Sequence, residues 1–155
     1  MTRHIELIWK KLDHLRRMQV YLTYSLQQSS VLMPIVCWDD LTQENHETLA
    51  AFRVRFSDFQ EHLGKTMRAV AIEEEQRTEP FTAVLLYMEK LEIIESAQTW
   101  KELRELRNAI NHEYEENPER LARFFQELVY ATPRLFDWHQ RLSAFCHRNY
   151  GGQGN

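Results

Sequence analysis

Apolar side chains recur every three or four positions along nearly the whole chain, and no run alternates for long enough to make a strand. From the N-terminus, Ile5, Ile8, Leu12, Leu15, Met18 and Leu22 keep that spacing, with lysines and arginines between them. This is the period of an amphipathic helix. The pattern gives a first helix to about Gln28, broken by Pro34 and the Trp38-Asp39-Asp40 cluster. A second long helix, capped near Asp40 or Thr42, carries Leu49, Phe52, Phe56, Phe59, Leu63, Met67 and Val70 and fades into Glu73-Glu74-Glu75. A third opens at Thr78-Glu79-Pro80, with proline in the first turn, where its missing N–H costs nothing. Phe81, Val84, Leu85, Met88, Leu91 and Ile94 form its apolar stripe. Ser96 or Thr99 caps a fourth helix that runs to about Tyr114. Asn117-Pro118-Glu119 repeats the cap-then-proline signal, and Thr132-Pro133 makes the last part either two helices or one kinked at the proline. The pattern predicts an all-α fold, an up-and-down bundle of four to five helices.

Composition narrows this reading. At 155 residues the chain suits one domain with a real core, assigned to residues 1–150. The Gly151-Gly152-Gln153-Gly154-Asn155 run, residues 151–155, is expected to be a flexible tail. Only four glycines and four prolines occur, which favours long helices and short connections. A net charge of −4 leaves no bulk basic footprint, so any RNA contact has to come from a local patch. Cys37 and Cys146 match no CxxC or zinc spacing, and the histidines form no HExxH set, so no metal site is expected. No apolar run approaches the ~18 residues of a membrane span, and the N-terminus lacks a signal-peptide core. The expected location is cytoplasmic, without a membrane partner.

One segment concentrates residue types that do chemistry: Arg107-Asn108-Ala109-Ile110-Asn111-His112-Glu113-Tyr114. On the fourth helix Trp100, Leu103, Leu106, Ile110 and Tyr114 share a stripe, with Arg107 at its edge and Arg104, Asn108 and Asn111 on the flank. His112 lies further round, about 140° from Arg107 on an ideal helix. A site using both residues therefore needs a distorted helix end, or two chains meeting across a two-fold axis. Metal-free RNA cleavage asks for a group that exchanges protons near neutral pH, which histidine provides. It also asks for a fixed cation that grips phosphate bidentately, which arginine provides. The plainer reading of the same string is a capping and salt-bridge patch, since a helix C-terminus favours histidine.

The segment resembles the Arg-x4-His-x-Tyr signature of the HEPN superfamily, and more closely its HepT-like branch. The likeness extends from Pro80 to Phe125, through Tyr87-Met88-Glu89-Lys90-Leu91 and the Thr99-Trp100-Lys101-Glu102-Leu103-Arg104-Glu105-Leu106 lead-in. The first 75 residues match only in helical character. The resemblance implies a dimerising HEPN-like domain, the toxin of a toxin–antitoxin pair. Its activity would be that of a metal-independent endoribonuclease with a composite site at the homodimer interface and no cofactor. Carried over, Arg107 and His112 are the catalytic residues and Asn108 the supporting neighbour. The partner it implies is a minimal nucleotidyltransferase antitoxin that transfers AMP to Tyr114. An alternative within the same resemblance is a non-catalytic, substrate-binding helical partner of that nucleotidyltransferase. A third reading is a helical scaffold that dimerises through its aromatic-rich second helix.

Other features read more plainly. Glu73-Glu74-Glu75 is expected to be a solvated helix end. The Phe52, Phe56, Phe59 stripe suits core or dimer seam better than a base-stacking platform. Arg104 and Arg120 either extend a basic strip toward RNA or pair with Glu102, Glu116 or Glu119.

Overall fold

Thr2 opens the first helix: its hydroxyl accepts the N–H of Ile5 at 3.2 Å, satisfying one of the donors that every helix start leaves free. The structure is a computed structural model that describes residues 2–113 and 117–151, leaving aside the side chains of 110–113. The helices are α1 (Arg3–Ser30), α2 (Gln43–Glu73), α3 (Phe81–Lys90), α4 (Ala97–Glu113) and α5 (Pro118–Tyr150), with a single 3-10 turn at Trp38–Asp40. Among the described residues there is no strand, and no helix is long and apolar enough to cross a membrane. The tail at 152–155 lies outside the described residues.

The caps fall where short polar side chains predicted them. Thr42 caps α2 by accepting the N–H of Asn45 at 3.0 Å. Ser96 caps α4 through the N–H of Thr99 at 3.1 Å. Asn117 caps α5, accepting from Glu119 and Arg120, with Pro118 in the first turn. The last segment is one helix that continues through Pro133, and the neighbouring Thr132 hydroxyl bonds the Leu128 carbonyl at 2.7 Å.

Two boundaries correct the sequence reading. Pro80 is not in the first turn of α3 but is its extended N-cap, and its carbonyl accepts from Ala83 at 2.8 Å. The helix also stops at Lys90, short of Leu91 and Ile94. Glu92 adopts a left-handed backbone (φ 61°), and Ile93 N–H turns back to the Met88 carbonyl while Glu92 N–H reaches Glu89. This is a Schellman ending, and both Ile93 and Met88, which its outer hydrogen bond joins, are buried. The end of α2 repeats it: Glu75 has φ 57°, Gln76 N–H bonds Ala71 and Glu75 N–H bonds Ile72. Glutamate in this backbone is strained by roughly 1–2 kcal/mol, only partly offset by the entropy a glycine would lose. Among the described residues, exposed Glu92 has no side-chain hydrogen bond or ion pair for glycine to forfeit; its carbonyl accepts from Arg141. Glu92→Gly is therefore expected to raise stability by about 0.5–1 kcal/mol in denaturant titration. An unchanged or lower midpoint would mean the turn is not under strain.

Cross-helix pairs set the topology. His4 meets Glu73, His14 meets His62 and Ser25 meets Arg55, so α1 and α2 are antiparallel. Trp9 meets His147 and Gln19 meets His139, so α1 and α5 are antiparallel too. Phe59 contacts both Phe136 and His139, locking α2 onto α5. Phe52, Phe56 and Phe59 are fully buried within the chain, contributing roughly 1.5–3 kcal/mol each. Of the two expectations for this stripe, core and dimer seam, the single chain shows core. Glu73 and Glu74 correct another expectation. They are half-buried ties, Glu73 to His4 at 2.9 Å and Glu74 accepting from the Tyr150 hydroxyl at 2.8 Å.

His139 is a titratable group in the core. It is buried, its Nδ1 lies 2.7 Å from the Gln19 amide oxygen, and burial pushes its imidazole down to about 4. The unfolded side chain titrates near 6.5. As pH falls below that, the unfolded chain binds a proton that the folded one refuses until about 4. Stability is thus retained above about pH 6.5 and declines toward pH 4, by roughly 3 kcal/mol for this group alone. Unfolding curves at pH 7 and pH 4 are expected to show that extra loss in the parent and not in His139→Gln. Parallel losses in both proteins would contradict it.

Candidate functional site

The N-terminal turn of α4 fixes the orientation of everything that follows on that helix. Besides the Ser96 cap, Ala97 N–H donates to the Glu89 carboxylate at 2.8 Å, tying α4 to α3. Trp100, nearly buried, stacks on Trp138 at 5.4 Å and tilts against Phe81 at 6.2 Å. The Trp138 indole N–H donates to Glu95 at 2.9 Å, just before the helix. A residue clamped on three sides cannot rotate, so Leu103 is held in the core. Arg104 and Arg107, one turn and two turns beyond Trp100, are set along the groove between α4, α2 and the start of α3.

That groove is a cavity of about 170 Å³. From α2 it is lined by Gln60, Glu61, Gly64, Lys65 and Arg68, and from α3 by Phe81. Gly64 is what lets the helices approach. A Cβ there would stand 3.2 Å from Trp100 Cζ2, tighter than most side-chain contacts, and at ordinary contact distance, 3.4 Å, from Phe81 Cζ. Four cations therefore line one groove against a single carboxylate, in a chain whose overall charge is negative.

The four cations are not equivalent. Arg68 is committed: it reaches the Thr78 carbonyl at 3.3 Å and Glu79 at 3.5 Å, and lies 5.3 Å over the Phe81 ring. Lys65, Arg104 and Arg107 have no ion pair among the described residues. Arg107 is half-buried, and its one hydrogen bond is a long 3.4 Å contact from Nε to the Asn108 side chain. Asn108 itself is exposed. An unpaired, half-buried guanidinium in a basic groove is poised for an anion.

The structure thus brings Arg107 together with Arg104 and with three α2 residues that the sequence reading missed: Gln60, Lys65 and Arg68. The signals for them were present. Gln60 interrupts the apolar stripe of α2, and Gly64 stands in mid-helix without a turn to make. The His112 side chain and the whole of Tyr114 lie outside the described residues. Helix α4 continues unbroken through Glu113, so positions 107 and 112 remain about 140° apart around its axis. Among the described residues no histidine lines the groove, and no cluster of His, Cys, Asp or Glu could hold a metal ion.

No protein-family model, curated protein or solved structure matches the chain. The fold and the groove define an all-α protein with a local basic groove. The nature of its chemistry rests on its own residues.

Proposed function

We propose that the chain is a HEPN-type, HepT-like toxin: a metal-independent endoribonuclease that acts as a homodimer. The observation that carries this reading is the motif arginine, Arg107, half-buried beside Lys65, Arg68 and Arg104 with no carboxylate partner among the described residues. It answers the objection from net charge, because a local basic groove attracts a phosphodiester even on an acidic protein.

In this reading Arg107 binds the scissile phosphate through two parallel N–H···O contacts and stabilises the charge that builds there. His112 of the second chain exchanges the proton, and Asn108 orients the Arg107 guanidinium through the contact already present between them. The ribose 2′-oxygen forms a bond to phosphorus as its proton leaves. The bond to the 5′-oxygen breaks, and that oxygen takes up a proton. The 140° separation along an unbroken α4 is the reason for two chains: a two-fold axis carries the His112 of one copy to the Arg107 of the other. The partner in this reading is a nucleotidyltransferase antitoxin. AMP placed on Tyr114, two residues from His112, adds an anion that fills the cleft and repels the RNA phosphate.

The test is inducible expression of the parent chain and of His112→Ala in a host without the partner, with RNA integrity read in the same cells. Growth arrest and RNA cleavage with the parent, both absent with the variant at equal folded yield, are the expected result. Normal growth and intact RNA with both would favour the second reading, a non-catalytic helical partner of the nucleotidyltransferase. That reading draws on the net charge of −4, which steers RNA poorly.

A further inference from the structure

The seam between α1 and α5 holds two adjoining cavities, of about 210 Å³ and about 460 Å³. Trp9 and Leu12 of α1 wall the first, and Gln19 of α1 with Phe136 of α5 wall the second. His139 and Ser143, one turn apart on α5, line both, so the two run on into one groove along the seam. His139 is 7% exposed, and its Nδ1 lies 2.7 Å from the Gln19 amide oxygen. A carbonyl oxygen only accepts, so Nδ1 carries the proton and the lone pair of the neutral ring stands on Nε2. That nitrogen has no hydrogen-bond partner among the described residues. Nor is it one of the unsatisfied core atoms that are sealed from solvent, so it opens on the groove that its ring lines.

A nearly buried acceptor, locked in one tautomer and left unpaired by the protein, calls for a donor. The walls determine what carries it. Trp9 and Phe136 put an aromatic ring in each arm, and rings prefer ring partners. The aspartates and the arginine that line the groove are already ion-paired, Asp13 with Arg16 at 2.7 Å and Asp137 with Arg141 at 3.0 Å. A charged ligand finds no spare counter-charge there, unlike in the basic groove beside α4. The larger arm lies within the ~300–1,000 Å³ that small-molecule sites occupy.

We propose that the α1–α5 groove binds a small, neutral aromatic compound through one O–H or N–H donated to His139 Nε2. Phenol and indole are the simplest members of that class. Gln19 is a positioning residue, since its amide oxygen fixes which ring nitrogen faces the ligand. The site belongs to a single chain and does not rest on the ribonuclease reading.

The experiment is imidazole-nitrogen NMR on the full chain with labelled histidine, titrated with phenol, indole, toluene, benzoate and benzylamine. Phenol or indole is expected to move the His139 Nε2 resonance, saturably, in the direction that accepting a hydrogen bond gives, with Nδ1 little changed. Toluene has the shape of phenol without the donor, and should leave Nε2 in place even where it binds. In His139→Leu the donor probe should bind about fivefold or more weakly than in the parent, while toluene binds no more weakly. Because the resonance is read in the parent protein, the test stands even if that variant fails to fold. An Nε2 resonance unmoved by both donor probes, or an equal shift with toluene, would overturn the proposal. So would tighter binding of benzoate or benzylamine than of phenol.

Discussion

Arg107→Ala is expected to lower the RNA cleavage rate of the purified protein by about 10²–10³-fold, the usual loss when a preorganised donor to a developing oxyanion is removed. The reasoning is local. Arg107 gives up no ion pair when it is truncated, because it has none among the described residues, and its contact to Asn108 is long. The fold should therefore survive, and the loss should appear in catalysis. Arg107→Lys keeps the charge but loses the planar fork, so it should recover only a small part of the rate. Asn108→Ala, which removes only an orienting contact, should cost less than either. Single-turnover cleavage of a short RNA, paired with thermal melts of each variant, checks this order. Cleavage within about threefold of the parent by a folded Arg107→Ala protein would remove Arg107 from the reaction.

Trp138→Ala should have the largest effect on stability, about 3–5 kcal/mol. Trp138 is fully buried and stacks on Trp100, and its N–H satisfies Glu95. Truncation leaves a cavity, frees the Trp100 ring and takes one donor from Glu95, which among the described residues keeps only Arg134 at 3.7 Å. Against a total stability of roughly 5–15 kcal/mol this is severe, and the melting temperature should fall on the order of 10 °C. Trp138→Phe keeps the ring and loses only the donor, so it should cost clearly less. A loss below about 1 kcal/mol for the alanine variant would mean that α4 is held by something other than this stack. The prediction links core to site, because the Trp138–Trp100 stack sets the orientation from which Arg104 and Arg107 line the groove.

The helical architecture was legible because its signals are local. Thr42, Ser96 and Asn117 are short polar side chains directly before apolar periodicity, and each caps as its chemistry requires. The ends of α2 and α3 were not legible, because the chain places Glu75 and Glu92 in a backbone that sequence rules reserve for glycine or asparagine. At the end of α3, burial of Ile93 and Met88 overrides the local preference. Pro80 misled for a related reason: proline suits both the first turn and an extended cap, and spacing does not separate the two.

The candidate site was half legible. Arg107 stood out by residue type and motif, and Arg104 by its place on the flank. Gln60, Lys65 and Arg68 are brought to them only by the packing of α2 on α4, which depends on Gly64 offering no side chain to Trp100. Pattern reading sees one helix at a time. A polar residue inside an apolar stripe was the trace that the groove left in the sequence.

In the ribonuclease reading, Arg107 of one chain works with His112 of another. Mixing purified Arg107→Ala and His112→Ala proteins, each inactive alone, tests it directly. In a mixed dimer one site carries both defects and the other carries neither. Random exchange should therefore restore about a quarter of the parent's cleavage rate. No recovery, with mixed dimers demonstrated in the same sample, would contradict a site shared between two chains.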